Sequence, residues 1–166
     1  MLIFHGSDVA VKEPKILSAN RLLDFGEGFY TTSSLEQAKR WAQKVKERRN
    51  SRKQIISIFE FDMCKAENDL KFIKFDSPDH EWLHFVTACR TGKKLDYDYD
   101  IVTGPVANDN VYATIQLFET GLLSEAETIT RLKIELIYDQ ILFHTEQALK
   151  YITYKQHEEI IGELYG

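Results

Sequence analysis

The sequence predicts an α+β domain built on a split, mainly antiparallel β-sheet. Short apolar runs and longer amphipathic runs alternate along the 166 residues without the regular rhythm of βαβ units. The length suits one compact domain with a sizeable core, and 43% hydrophobic with 28% charged residues is an ordinary globular composition. We therefore expect a single domain over residues 1–166.

The first half of the chain shows strand and helix signals in turn. A short apolar run stopped by Gly-Ser predicts a first strand, and a second strand follows the glycines of "GEGFY". Ser34 followed by Gln37 fits an N-cap with a capping box. The alternating run "QIISIFEFDM" is typical of a half-buried strand. The predicted elements are strands at Leu2–His5, Phe29–Thr32 and within 54–63, and a helix from Leu35 to about Arg49.

The second half predicts three more helices and two more strands. Asp79 caps a helix to about Arg90 with an apolar side, and the Gly-Pro pair should end the next strand by a turn. Ser124 and Glu127 form a second capping box. The predicted elements are a strand at Asp100–Val106, helices at Asn110–Glu119 and Glu125–Leu136, a strand at Gln140–His144, and a short helical tail.

The charge distribution and the cysteine positions limit the classes of protein to which the chain can belong. The formal net charge of −5 argues against a dedicated nucleic-acid binder, yet residues 36–53 carry eight lysines and arginines against two glutamates. That stretch is either a solvated helix face or a surface that binds phosphate groups. The first residues contain neither a basic leader nor a membrane-length apolar run, and Cys64 and Cys89 read as buried thiols in a reducing compartment. We expect a cytoplasmic protein that does not enter a membrane.

The motif "HEWLH" raises one alternative function. His80 and His84 share a helix face, and Glu81 could act as general base, as in zinc metalloproteases. However, the two histidines fall on the polar stripe of the predicted helix, opposite its apolar side. The spacing of the sequence indicates no third ligand, so a zinc protease is a minor alternative.

Three segments resemble the motifs of ADP-ribosyltransferases of the poly-ADP-ribose polymerase and diphtheria-toxin type. "LIFHGS" is similar to their first strand, which ends in His-Gly-Ser or His-Gly-Thr. "FGEGFYTTSSLEQAKRWA" is similar to the second motif, a Gly-x-Gly-aromatic-Tyr strand followed by a helix with another aromatic residue. "YDQILFHTEQALKYI" falls at the third motif, a strand that usually begins with glutamate.

A closer resemblance is to a bacterial domain family of unknown function that is grouped with these transferases. Its members look like "FHGS", "LDFGEGFY", "TGPVAND" and "DQILFHTE" in this order, so the resemblance spans nearly the whole chain. These proteins are often encoded beside a small partner gene. The resemblance implies the split-sheet fold of the superfamily with NAD between its halves.

The resemblance also implies roles for individual residues. The nicotinamide of NAD would lie between Tyr30 and Trp41, where stacking is worth roughly 1–3 kcal/mol. The alternative is that both aromatic residues belong to the core. His5 would hydrogen-bond a ribose hydroxyl, Gly6 would present its backbone to the carboxamide, and Ser7 completes this NAD-binding motif.

The third motif departs from that of the better-known transferases. Gln140 stands where the better-known enzymes carry the glutamate that stabilises positive charge on the ribose, and its amide has no charge and cannot act as a base. Asp109 and Glu146 are candidates for a substitute acid. Arg21 is a candidate for the pyrophosphate, while Asn108 and Asp109 either contact substrate or cap the next helix.

The resemblance therefore implies an NAD-dependent mono-ADP-ribosyltransferase with His5, Tyr30 and Gln140 as its triad and no need of a metal. The acceptor would be a protein or a nucleic acid, and the partner a small antitoxin protein. The alternative of another class is a catalytically silent module that binds NAD or a nucleotide, in which Gln140 marks lost chemistry.

Overall fold

The computed structural model describes residues 1–17, 23–106, 109–132 and 138–161. The strands are β1 (Leu2–Ser7), β2 (Phe29–Thr31), β3 (Ile55–Phe61), β4 (Phe72–Lys74), β5 (Ile101–Pro105), β6 (Asp139–Phe143) and β7 (Ile152–Glu159). The helices are α1 (Leu35–Arg49), α2 (Met63–Asp69), α3 (His80–Thr91), α4 (Asp109–Glu119) and α5 (Glu125–Leu132), with a 3₁₀ helix at Ala148–Tyr151. The chain has the predicted α+β fold.

The strands form two sheets. One has the order β1-β3-β7 and is antiparallel throughout, and the other has the order β2-β6-β5-β4, in which only the β4–β5 pair is parallel. A bridge between Phe4 and Thr32 joins β1 to the end of β2, with N···O distances of 2.8 and 3.0 Å in the two directions. The expected mainly antiparallel pairing is confirmed.

Three apolar clusters hold the helices and strands together. Between the sheets lie aromatic contacts such as Phe29 on Phe59 and Phe61 on Phe143. Helix α1 covers the outer face of the first sheet through Ala38 and Ala42, and α3, α4 and α5 cover the outer face of the second. Each sheet therefore carries its own helices, and the apolar contacts between the sheets join the two halves.

Local signals placed the helix starts correctly. The side chains of Ser34 and Asp79 accept hydrogen bonds from the backbone of Gln37 and Trp82, and the box between Ser124 and Glu127 is complete. The first box is only half formed, because the Ser34 N–H donates to the hydroxyl of Thr32 at 3.1 Å instead of to Gln37. The apolar side of α3 is buried as predicted.

Several predictions from pattern were wrong. Strand β3 is buried on both faces except at Glu60, because α1 covers one face and the second sheet the other. Gly104 and Pro105 continue β5, where they pair with β6 and form no turn. The tail after β6 is a 3₁₀ helix followed by strand β7. Cys64 is exposed, whereas Cys89 is buried, which raises its pKa to about 11.

Other elements had no prediction or only part of one. Helix α2 and strand β4 follow no clear periodic signal, and both are short. Residues 133–136 of the predicted helix Glu125–Leu136 lie outside the described residues. None of the described helices is both long enough and apolar enough to cross a bilayer.

Candidate active site

The two sheets diverge beyond the bridge between Phe4 and Thr32. Because Phe4 turns its N–H and C=O toward Thr32, Gly6, two residues further along β1, turns its own backbone groups the same way. A Cβ at Gly6 would lie 2.1 Å from the carbonyl oxygen of Ala38. Glycine at this position therefore lets α1 cross β1 closely, a reason that the sequence did not reveal.

His5 is held against β2 by one ring nitrogen. Its Nδ1 lies 2.7 Å from the carbonyl oxygen of Tyr30, which can only accept, so Nδ1 carries the proton. Burial lowers the pKa of His5 below its usual 6.5 and the nearby Arg49 lowers it further, against the opposing effect of the Tyr30 carbonyl. The neutral ring therefore offers Nε2 as a hydrogen-bond acceptor.

The hydroxyl of Tyr30 is used within the protein. It donates to the carbonyl of Gly26 at 2.5 Å and accepts from the N–H of Phe25 at 3.1 Å, and burial raises the pKa of Tyr30 well above its usual value. Gly26 has φ of +86°, so the turn that makes these bonds favours glycine. The phenol stays neutral, and its ring is what Tyr30 offers to a ligand.

Tyr30 and Trp41 face each other across a narrow slot. Their ring centroids are 6.4 Å apart and the ring planes differ by 19°. A flat ring between them needs about 7 Å, twice a carbon contact of 3.5 Å. The cavity lined by His5, Gly6, Gln140 and this pair has a volume of about 20 Å³. The slot is nearly closed and would have to widen by about 0.6 Å to admit a flat ring.

Gln140 points into the same slot. It lies on β6 opposite Gly104, two residues from Leu142, which pairs with Tyr30, so these side chains share one face of the sheet. Gln140 is only 3% exposed, and its Nε2 has no hydrogen-bond partner among the described residues. An unpaired buried donor costs about 1–3 kcal/mol, which makes this amide a candidate ligand contact.

The slot opens into a larger cleft of about 1240 Å³ between α1 on one side and α3 and α4 on the other. Part of the basic stretch lines it, namely Lys39, Arg40, Lys44 and Arg48. Arg49 instead pairs with Asp8 at 2.7 Å, and Lys53 pairs with Glu159 at 3.3 Å. One part of the basic stretch therefore lines the cleft, and another part forms ion pairs within the protein.

The remaining predicted residues lie in varied places. Arg21 and Asn108 lie outside the described residues. Asp109 begins α4, although its side chain is also outside what the structure describes. Ser7 is buried and donates to Asp8 at 3.4 Å. Glu146 is exposed in the loop after β6, where its carboxylate accepts from the N–H of Ile16.

Three residues of the site were not predicted. Asp139 accepts from the Thr32 hydroxyl at 3.0 Å and from the Ser33 N–H at 3.1 Å, and so fixes the turn that leads into α1. Arg90 and Tyr112 line the cleft from α3 and α4. An aspartate at the start of a strand and an arginine at the end of a helix carry no signal of such roles in sequence.

The two histidines and the glutamate of the "HEWLH" motif are exposed on α3, whereas its Trp82 and Leu83 are buried. His80 and His84 both contact the carboxylate of Glu125 on α5, His84 at 3.2 Å. Within the described ranges, no group of three histidine, cysteine or acidic residues is arranged to hold a metal ion. The zinc protease alternative gains no support from this arrangement.

Comparison with known proteins identifies one family. A family model described as "Protein of unknown function (DUF3990)" matches residues 1–154. No curated protein and no solved structure matches the chain.

Proposed function

The chain belongs to the DUF3990 family, whose description assigns no chemistry, and we propose from the cleft itself that the protein is an NAD-dependent mono-ADP-ribosyltransferase. It would cleave the glycosidic bond between nicotinamide and ribose and pass ADP-ribose to an acceptor. The roles of the individual residues come from the resemblance of the sequence motifs to such enzymes, and the geometry of the cleft supports them.

The observation that carries the proposal is the meeting of three features in one slot. Tyr30 and Trp41 present nearly parallel rings with centroids 6.4 Å apart, and His5 offers Nε2 as an acceptor. Gln140 brings a buried amide nitrogen that has no partner among the residues described. Nicotinamide is a flat ring with a polar carboxamide and is attached to a ribose with hydroxyl groups. Each of its parts therefore has a complementary group in the slot.

We assign the contacts as follows. The nicotinamide ring stacks between Tyr30 and Trp41, and the outward-facing backbone of Gly6 receives the carboxamide. His5 accepts a hydrogen bond from a ribose hydroxyl through Nε2, and the Gln140 amide donates to a ribose oxygen. These contacts hold the ribose C1′ where the bond to nicotinamide must break.

The proposed bond changes balance in electrons and charge, and no step requires a metal. The C1′–N bond breaks, its electron pair stays on nicotinamide, and the positive ring charge of NAD is thereby neutralised as an oxocarbenium-like ribose forms. The acceptor nucleophile then bonds to C1′ and releases its proton to solvent or to a base. Gln140 can orient the ribose in this step but cannot take that proton.

The acceptor is proposed as a protein or a nucleic acid. The basic residues of α1 that line the cleft would favour an anionic acceptor near the reacting ribose. A role as the toxin of a pair, with a small antitoxin protein as partner, is proposed from the family resemblance alone.

The proposal is tested by incubating purified protein with NAD, alone and with cell lysate, while measuring free nicotinamide and the mass of labelled macromolecules. We expect nicotinamide release and a labelled acceptor. Tyr30→Ala should lower release by about tenfold or more, because one stacking face is worth roughly 1–3 kcal/mol. Tyr97→Ala, which removes an exposed tyrosine outside the cleft, should leave release unchanged. Equal release by both variants would refute the site.

The second candidate, a silent NAD-binding module, is favoured by one observation, the neutral amide of Gln140 where the better-known ADP-ribosyltransferases carry a glutamate. Gln140→Glu discriminates between the two. An enzyme built around glutamine should lose part of its nicotinamide release, whereas a silent module should stay inert or gain activity. NAD binding without release by the unaltered protein would favour the silent module.

A further inference from the structure

Arg90 stands on the wall of the cleft opposite α1. It lies in the last turn of α3, and its side chain is only 9% exposed. Arginine is always charged, and a buried guanidinium is expected to be paired on each of its hydrogen-bonding edges. The contacts of Arg90 depart from that expectation.

One edge of the guanidinium is paired and another is not. Nε lies 3.6 Å from a carboxylate oxygen of Glu119, which fixes the side chain on that edge. Nη1 is buried and has no hydrogen-bond partner among the described residues. The carboxylate therefore orients the guanidinium while leaving donors that point away from it available for an anion.

Tyr112 covers this guanidinium. The ring centroid of Tyr112 is 4.2 Å from the guanidinium carbon, and Tyr112 itself is 45% exposed on α4. An exposed aromatic side chain can rotate into solvent on a fast timescale, which would open Arg90 to the cleft. Arg90 and Tyr112 both line the cleft that contains Tyr30 and Gln140.

We propose that Arg90 binds the diphosphate of a dinucleotide whose nicotinamide end lies in the slot, with Tyr112 moving aside as the phosphate arrives. This inference rests on the proposed function for the identity of the ligand. A diphosphate offers several oxygens in the geometry that an arginine fork prefers. A cleft of about 1240 Å³ has room for the whole dinucleotide.

The test is calorimetric titration of wild type and Arg90→Gln with ADP-ribose, which carries the diphosphate, and with nicotinamide, which does not. Loss of charge-assisted hydrogen bonds should weaken ADP-ribose binding by at least about tenfold. Nicotinamide binding should change by less than about twofold. Arg131→Gln, an exposed substitution on α5, is the matched control and should leave both affinities unchanged.

Two further variants keep the test decisive. If Arg90→Gln fails to fold, Arg90→Lys keeps the charge but loses the planar fork, and it should still weaken ADP-ribose measurably. Tyr112→Ala removes the cover, so it should bind ADP-ribose as tightly as wild type or more tightly. Weaker binding by Tyr112→Ala would show that the tyrosine holds the ligand, which would overturn its role as a cover.

The outcomes separate this inference from the proposed function. Unchanged ADP-ribose affinity in Arg90→Gln and Arg90→Lys, or no ADP-ribose binding by wild type, would overturn the diphosphate site. Weakened binding of a single-stranded RNA oligonucleotide with unchanged ADP-ribose binding would overturn it in favour of a nucleic acid. ADP-ribose binding that depends on Arg90, in a protein that releases no nicotinamide, would support the site while refuting the transferase.

Discussion

Single residues of the cleft differ in whether the protein already uses their polar atoms. Nδ1 of His5 and the hydroxyl of Tyr30 are engaged with backbone groups, and these bonds fix the two rings. Nε2 of Gln140 and Nη1 of Arg90 are buried without a partner among the described residues. Leaving buried donors unpaired lowers stability, so the unpaired donors indicate where a ligand would be bound.

His5 gives a prediction about pH. Its folded pKa lies below the usual 6.5, so between these two values the unfolded chain binds more protons and stability falls as the pH drops through 6.5. Protonation would also turn Nε2 from an acceptor into a donor. We expect the unfolding free energy to decrease once the pH falls below about 6.5. NAD affinity should decrease only at lower pH, where the folded His5 ring takes up a proton.

Denaturant unfolding and NAD titration between pH 5 and 8 measure these effects. In His5→Gln, which keeps a polar side chain without a titrating ring, both losses below pH 6.5 should become smaller. Identical pH profiles for wild type and His5→Gln would contradict the protonation argument.

Helix α1 is the element that closes the slot, since it carries Trp41. Ser34 caps its start, Asp139 holds the turn before it, and the bare backbone of Gly6 lets it lie against β1. The position of Trp41 relative to Tyr30 therefore depends on contacts that lie away from either ring.

Gly6→Ala tests that dependence. A methyl group would meet the backbone of Ala38 at 2.1 Å and that of Ala42 at 2.8 Å, and backbone atoms can yield only if the helix shifts. We expect a loss of about 1–3 kcal/mol in unfolding free energy. NAD binding should weaken as well, because Trp41 moves with α1.

Gly121→Ala is the matched control for Gly6→Ala. Gly121 has φ of +76° and nothing within 4 Å of the added carbon, so the substitution costs backbone strain of about 1–2 kcal/mol without moving α1. Calorimetry should find NAD affinity unchanged in this variant. A Gly6→Ala protein with wild-type affinity would show that α1 tolerates the shift.

At the scale of the whole molecule, the cleft lies where layers of the fold meet. Helix α1 packs on the first sheet, whereas α3 and α4 pack on the second, and β1 and β2 touch through the bridge between Phe4 and Thr32. A ligand that contacts Trp41 together with Tyr30 and Gln140 would tie the two halves together. Binding should then stabilise the fold as a unit.

Thermal unfolding with NAD measures this effect. NAD at 100 times its dissociation constant should add about 2.7 kcal/mol, which corresponds to a rise of roughly 5–10 °C in Tm for a chain of this size. Trp41→Ala should lose most of the rise at the same NAD concentration, and Tyr97→Ala should keep it. A rise that Trp41→Ala retains in full would place the bound ligand elsewhere.

Much of the fold was predictable because its signals are local. The N-caps Ser34 and Asp79, the apolar side of α3, and the glycines before β2 act within a few residues, and the structure bears each of them out. Strand β7 was missed because most of its side chains are exposed, and its place is set by pairing with β3 about a hundred residues earlier. The double burial of β3 was missed for a similar reason.

For the candidate site, too, the sequence predicts local features but not the contacts between residues far apart in the chain. The sequence by itself determined which chemical groups the chain possesses, including the aromatic pair Tyr30 and Trp41 and the neutral amide of Gln140. Only the tertiary structure decided that the Tyr30 hydroxyl is occupied, that Nε2 of Gln140 is buried without a partner in the described part of the chain, and that Arg90 reaches the same cleft. The physical reason is that hydrogen-bond partnership and burial arise between residues far apart in the chain, where residue type and spacing carry no signal.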